Sequence, residues 1–137
     1  MFDLVWKLLL LVALVFIIVK RAGIVALFAK YKYSKGDYNG ALKIFRIADK
    51  VGNLGIGDKI LFGYNCLRCG ELAAAKNVFS MAYMLSKPAS ADRFRIMSLQ
   101  ALVAWKEGDI ELAVGKLEDV YNQGFKTVSY THLRAHE

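Results

Sequence analysis

The chain has 137 residues and a formal net charge of +7, and 56% of its residues are hydrophobic. This length allows one small folded domain beside a membrane segment and excludes two full domains. No helix, sheet or loop motif for nucleic-acid recognition accompanies the basic charge, so we predict no nucleic-acid partner.

The segment from Phe2 to Val19 is apolar along most of its length, and positions 8–19 carry no charge. As a helix it would be about 27 Å long, close to the bilayer hydrocarbon thickness of about 30 Å. Lys7 lies near one end, where it can snorkel, and Trp6 suits the interface. We therefore predict a single membrane span, with residues 1–21 forming the anchor and its basic flank.

A cleaved export signal and a buried core helix are the alternatives for this segment. Lys20 and Arg21 follow the apolar core directly, and no pair of small residues at the cleavage spacing lies between Ala22 and Lys30. This favours an uncleaved anchor over a removed signal.

Basic residues follow the span, and no acidic residue lies between it and Asp37. They are Lys20, Arg21, Lys30, Lys32 and Lys35. The excess of positive charge on this side predicts a single-pass protein of the cell membrane with its folded domain in the cytoplasm. Near the membrane surface, each basic residue is expected to gain about 1 kcal/mol from anionic lipids.

A Gly, an acidic residue and an apolar residue are followed, five positions after the Gly, by Ala, and this motif occurs three times. The copies are Gly36-Asp37-Tyr38 with Ala41, Gly70-Glu71-Leu72 with Ala75, and Gly108-Asp109-Ile110 with Ala113. The glycines recur about every 34–38 residues, a period typical of stacked helical pairs. Each Gly separates two apolar-periodic segments, so each unit is predicted to be a helical hairpin.

Apolar residues recur at helical spacing in the second helix of each hairpin, with small residues where helices would cross. The recurring residues are Ala41, Leu42, Phe45 and Ala48, then Ala75, Phe79 and Ala82, then Ala113, Leu117 and Val120. The predicted repeat-packing set is Gly36, Ala41, Phe45, Ala48, Gly63, Gly70, Ala75, Phe79, Ala82, Gly108 and Ala113.

The pattern resembles the tetratricopeptide repeat family, whose units carry a small residue, an aromatic, the Gly-acid turn, and then Ala, an aromatic and Ala. The first unit matches at Gly36, Asp37, Tyr38, Ala41, Phe45 and Ala48, and the middle unit matches at Gly63, Gly70, Ala75, Phe79 and Ala82. The third unit matches at Ala101, Trp105, Gly108, Asp109 and Ala113. It departs from the family pattern at Leu117 and Val120. Lys59 stands where the family usually has a large aromatic. The resemblance implies an all-α fold in which an α-solenoid of about three hairpins, near 22–53, 56–88 and 92–127, follows the anchor. An ordinary helical bundle is the alternative.

In this family the first helices of the hairpins line a concave groove that binds a protein or peptide. The matching outward positions are Lys30, Tyr33, Tyr64, Leu67, Arg68, Arg95, Trp105 and Lys106. Their aromatic and basic character implies a peptide with apolar anchors and acidic groups or a free C-terminal carboxylate. For Tyr33, Tyr64 and Trp105, packing between repeats is the alternative.

Cys66 and Cys69 form the one local motif with possible chemistry, but they fall late in a predicted helix, whereas a redox pair needs a helix N-terminus. A zinc site would need two more ligands, and the only histidines are His132 and His136 near the end of the chain. We predict that both cysteines are packing residues, with no metal, no cofactor and no enzymatic activity.

Residues 128–137 resemble a translated sequencing-adaptor remnant and are left out of the fold prediction. A native polar tail is the alternative; if the segment is foreign, the native chain is expected to continue with more repeats. The predicted function is that of a membrane-tethered adaptor for a protein or peptide partner. A structural subunit of a membrane complex and an accessory part of a larger enzyme remain alternatives, and the oligomeric state is open.

Overall fold

The computed structural model describes the backbone of residues 1–136 and the side chains of residues 1–124. In that part the chain forms seven α-helices and no strand, so the predicted all-α fold is confirmed. The helices are α1 (Phe2–Val19), α2 (Arg21–Ser34), α3 (Tyr38–Val51), α4 (Ile56–Arg68), α5 (Leu72–Leu85), α6 (Ala91–Lys106) and α7 (Ile110–His136). Internal contacts divide the chain into two compact units, Met1–Asp58 and Lys59–Glu137.

Helix α1 is exposed along its whole length and is long and apolar enough to cross a membrane. A signal sequence would have the same length and composition. Its junction with α2 contains no linker: the Lys20 N–H donates to the Phe16 carbonyl at 2.9 Å, and the Ile24 N–H donates to the Lys20 carbonyl at 3.0 Å. The backbone of Lys20, with φ −99° and ψ 15°, departs from helical geometry, so α1 ends and α2 begins at this residue.

The first hairpin packs α2 against α3 through small residues. Helix α2 buries Ala22, Ala26 and Ala29 on one face, and α3 buries Ala41, Leu42, Phe45 and Ala48. Alanines spaced by four and three positions lie on one side of a helix, where they let a partner helix approach closely. The hairpin core therefore combines small alanine side chains on α2 with the large, completely buried Phe45 ring on α3.

All three hairpin turns have the same hydrogen-bond pattern. The glycines Gly36, Gly70 and Gly108 have φ values of 83°, 78° and 87°. In each turn the acidic residue's N–H donates to the carbonyl five positions earlier, from Asp37 to Lys32, Glu71 to Cys66 and Asp109 to Ala104, at 3.0, 2.9 and 2.9 Å. This bond closes the preceding helix, while the carbonyl of the same acidic residue accepts the first bond of the next helix. In each pair, the glycine thus follows the end of one helix, and the acidic residue directly precedes the next helix.

In the middle hairpin, α4 and α5 meet where Gly63 leaves room for the ring of Phe79. Helix α5 buries Ala75, Phe79 and Ala82 completely. Lys59 is only 6% exposed, so a long aliphatic stem occupies the position where the repeat family usually has an aromatic.

Arg93 at the start of α6 joins that helix to the end of α5. Its Nε donates to Ser86 Oγ at 2.9 Å, its terminal nitrogen donates to the Ser86 carbonyl at 3.0 Å, and its guanidinium lies 4.4 Å from the Tyr83 ring centroid. Ser90 caps α6 by accepting the Arg93 N–H at 3.2 Å.

Helix α7 packs on α6 and leaves part of its apolar surface uncovered. Ala113 is buried, but Leu117 is 50% exposed, although the corresponding residues Phe45 and Phe79 in the two earlier hairpins are completely buried. Leucine is smaller than phenylalanine, and Leu117 keeps one side open to solvent. The departure of the third motif at this position is therefore accompanied by looser packing.

Candidate functional site

Two of the predicted groove residues, Lys30 and Tyr33, lie on α2, and both contact other residues of the compact unit Met1–Asp58. The ammonium group of Lys30 forms a 2.5 Å ion pair with Asp58 at the start of α4. The Tyr33 ring packs edge-on against Tyr38 across the Gly36 turn, with centroids 5.1 Å apart at 70°. The ion pair joins α2 to the start of α4, and the ring contact joins the two ends of the α2–α3 turn, so a ligand would have to compete for both side chains.

Helix α4 carries Tyr64 and Arg68 one turn apart. Tyr64 is half-buried and Arg68 exposed, and the guanidinium carbon lies 5.5 Å from the ring centroid. This geometry permits a cation–π contact that holds the two groups side by side. An aromatic ring next to a cation presents an apolar surface and a carboxylate-binding group together.

Leu67 does not belong with these two residues. It is only 3% exposed, and it follows Gly63 by one helical turn on the α4 face that packs on α5. Its predicted place in a ligand-accessible groove is therefore corrected: Leu67 is a core residue.

On α6, the predicted residues Arg95, Trp105 and Lys106 are all exposed. Arg95 and Lys106 lie on one helix face with Leu99 and Leu102 between them, because positions spaced by four and three follow the same side of a helix. Both leucines are half-buried. Residue type alone did not single them out in the sequence.

A shared register relates the outward faces of α4 and α6. Counted back from the turn glycine, Arg68 and Lys106 stand at the second position, Tyr64 and Leu102 at the sixth, and Leu61 and Leu99 at the ninth. We call these two sets the α4 stripe, Leu61, Tyr64 and Arg68, and the α6 stripe, Leu99, Leu102 and Lys106. Each stripe has half-buried apolar residues followed by an exposed cation. The register relative to the Gly-acid turn is the signal that would have found the three leucines.

A small cleft of about 90 Å³ lies among α5, α6 and α7. Its polar groups satisfy one another: Lys76 Nζ lies 3.9 Å from Glu107 Oε2, and Lys116 Nζ donates to Gln100 Oε1 at 3.5 Å. Ligand pockets usually measure about 300–1,000 Å³, so this cleft has room for a few waters rather than a metabolite.

Cys66 lies in the last turn of α4, and Cys69 directly follows the end of that helix. Cys66 is completely buried and Cys69 half-buried, with the Cys69 thiol 4.0 Å from Asn65 Oδ1. Among the residues whose side chains the structure describes, no three His, Cys, Asp or Glu side chains are grouped to hold a metal ion. His132 and His136 lie beyond those residues, as does the whole 128–137 segment, whose foreign origin stays a prediction.

The predicted membrane-surface residues do not share one environment. Lys20, Arg21, Lys32 and Lys35 are exposed, whereas Lys30 is turned toward Asp58. Lys32 Nζ also lies 3.9 Å from Asp37 Oδ2, and Lys35 Nζ lies 5.6 Å from the Tyr31 ring centroid. The charge available to a lipid surface is therefore concentrated at both ends of α2.

Comparison of the chain with protein-family models, curated proteins and solved structures found no significant match. The resemblance to tetratricopeptide repeats consequently rests on the three sequence motifs. The features of the chain that bear on its function are the exposed apolar helix α1, the repeated turns, and the stripes on α4 and α6.

Proposed function

We propose that the chain is a membrane-tethered helical-repeat scaffold that binds a protein or peptide partner along the first helices of its hairpins. The single observation that carries the proposal is the threefold turn, in which Gly36, Gly70 and Gly108 share positive φ values and one hydrogen-bond pattern. Hairpins repeated in this way favour stacking into a solenoid, whose first helices line a common concave surface. The seven-helix, all-α fold is compatible with that arrangement.

The residues of the α4 and α6 stripes favour one kind of partner. Each offers half-buried apolar side chains for an anchor residue, and Arg68 and Lys106 offer cations for a carboxylate. A peptide with spaced apolar residues and acidic groups, or with a free C-terminal carboxylate, matches this pattern. The buried Leu67 and the paired Lys30 contribute less than their residue types imply.

Helix α1 supplies the tether in this proposal. Its 18 residues match one bilayer crossing, and the basic residues that follow it favour the cytoplasmic side for the folded domain. Confinement to the membrane raises the local concentration of the scaffold near membrane-bound partners, so a modest affinity for each peptide suffices.

Site-specific photocrosslinking in intact membranes tests the partner surface. A photoreactive phenylalanine analogue placed at Tyr64 or Leu102 should capture a protein, whereas the same group at Met84, 82% exposed on α5, should not. Charge reversal by Arg68→Glu with Lys106→Glu should abolish the adduct, and Lys43→Glu on α3 should leave it unchanged. Equal capture from Met84, or capture that persists when Arg68→Glu and Lys106→Glu are combined, would rule out the groove as the binding surface.

The same adducts separate an adaptor from a structural subunit. An adaptor gives substoichiometric products that exchange when unlabelled partner is added, whereas a subunit gives a fixed ratio that does not exchange. A topology reporter fused after Thr127 should be active on the cytoplasmic side. Activity on the opposite side would reverse the proposed orientation.

A further inference from the structure

Helix α2 has two unlike faces. One carries Ala22, Ala26 and Ala29, which are buried in the first hairpin. The other carries Leu27, Phe28 and Tyr31, which are 62%, 64% and 60% exposed. Three large apolar side chains exposed together on two helical turns form a patch that soluble surfaces usually avoid.

The exposure of this patch is specific to α2. When Gly36 is aligned with Gly70, Phe28 and Tyr31 of α2 correspond to Phe62 and Asn65 of α4, which are 5% and 0% exposed. Leu27 corresponds to Leu61, which is half-buried on the α4 stripe. The positions of Phe28 and Tyr31 are thus buried in α4 and exposed in α2. The described residues leave this face of α2 open to its surroundings.

Basic residues bracket the apolar patch on the same side of the helix. Counting from Lys20, positions spaced by four, three, four and four along one face are Ile24, Leu27, Tyr31 and Lys35. We call these residues, together with Phe28, the α2 outer face. Lys35 lies over the Tyr31 ring at 5.6 Å, and no acidic residue occurs between positions 4 and 36. An apolar centre with cations at both ends complements a bilayer surface with anionic headgroups.

The position of α2 in the chain brings this face to the bilayer. Leu27 lies about two helical turns beyond the end of α1, which corresponds to about 12 Å of helix. The headgroup layer on each side of a bilayer is about 5–7 Å thick, so an upright α2 would carry Leu27 just past it. Because helical geometry is interrupted at Lys20, α2 can tilt toward the membrane plane, which lowers the face into the headgroup region.

We infer that the α2 outer face lies on the lipid surface, so that the first hairpin is docked on the bilayer rather than suspended from α1. This inference rests on the proposed membrane anchoring and deepens it. Interfacial helices bury their apolar face about 5–10 Å into the boundary between headgroups and acyl chains. Docking fixes the orientation of the first hairpin relative to the membrane, with the α3 side directed away from the lipid.

Single-tryptophan variants of the full chain in vesicles of phosphatidylcholine and phosphatidylglycerol test this docking. The chain has two tryptophans, Trp6 on α1 and Trp105 on α6, and Trp105→Phe leaves Trp6 as a reporter of the span. In a background of Trp6→Phe and Trp105→Phe, Phe28→Trp reports the α2 outer face. Ile47→Trp in the same background is the matched control, because Ile47 is 53% exposed on α3.

With brominated lipid in the vesicles, the tryptophans at positions 6 and 28 should be quenched several-fold more than the one at position 47. Aqueous acrylamide should give the opposite order. A tryptophan at position 28 that acrylamide reaches as readily as position 47 overturns the inference. Protection from acrylamide without quenching by brominated lipid also overturns it and indicates a protein on this face, such as a second copy. Failure of Trp6 to be quenched would instead reject the anchoring, so the two proposals fail separately.

Discussion

The ring of Phe79 occupies the space that a side chain at Gly63 would need. A Cβ atom at position 63 would lie 2.5 Å from Phe79 Cε1 and 2.8 Å from Cδ1 and Cζ. Ordinary van der Waals contact needs about 3.5 Å or more between carbon atoms, so the α4 backbone and the ring are in direct contact. The middle hairpin therefore depends on a matched pair, a missing side chain on α4 and a large one on α5.

Gly63→Ala should destabilise the folded chain by about 1–3 kcal/mol, because the new methyl group forces the Phe79 ring or the helix to move. Urea unfolding of the full chain in detergent micelles measures the change. Gly115→Ala is the control, since a Cβ at Gly115 meets nothing within 4 Å on α7. That control should gain about 0.5–1 kcal/mol from the higher helix propensity of alanine.

A double-mutant cycle separates this clash from a general effect of the substitution. Combining Gly63→Ala with Phe79→Leu should cost less than the sum of the two single losses, since the smaller side chain makes room for the methyl group. Strict additivity would mean that residues 63 and 79 do not touch in solution.

The all-helical fold was open to prediction because its signals are local. A glycine with positive φ ends one helix, the following acid begins the next, and both requirements act within a few residues. At two of the turns the acid's side chain also caps the new helix: Asp37 Oδ1 accepts the Gly40 N–H at 2.9 Å, and Asp109 Oδ1 accepts the Leu112 N–H at 3.2 Å. An aspartate directly after the turn glycine is therefore a helix-start signal that can be recognised in the sequence.

The candidate site was less predictable because exposure depends on packing partners distant in sequence. Leu67 has the residue type of a ligand contact, but Gly63 one turn earlier places it on the packed face. Lys30 has the type of a surface cation, but it pairs with Asp58, which lies two helices further along the chain. Phe28 gives the reverse case: its residue type indicates core, and it is 64% exposed.

The turn glycines supply a second prediction. Gly70→Ala should cost about 1–2 kcal/mol, because φ is +78° there and a Cβ disfavours that conformation even where nothing lies within 4 Å. Gly57→Ala in the first turn of α4 is the matched control, being equally open and without positive φ. It should be neutral or stabilising. Equal melting temperatures for the two variants would contradict the turn geometry.

Ala75 supplies a third prediction through its complete burial on α5. Ala75→Leu adds three carbon atoms where a neighbouring helix approaches, and overpacking of this kind costs about 1–3 kcal/mol. Ala73→Leu, on the exposed side of the same helix, changes helix propensity equally and should leave the free energy of unfolding nearly unchanged. An unchanged melting temperature for Ala75→Leu would argue against a close helix crossing at this residue.

Arg93 supplies the last prediction. The guanidinium donates to the Ser86 hydroxyl and to the carbonyls of Ser86 and Tyr83, which are acceptors at the end of α5. Arg93→Ala should cost about 1.5–3 kcal/mol, the usual range for hydrogen bonds from a charged group. Arg93→Lys should recover only part of this loss, because an ammonium group cannot reproduce the planar fork that reaches several acceptors at once. Arg95→Ala removes an exposed arginine two positions further along α6 and should have little effect on unfolding. If amide hydrogen exchange at the last turn of α5 is the same in Arg93→Ala as in Arg95→Ala, the arginine does not hold the two helices together.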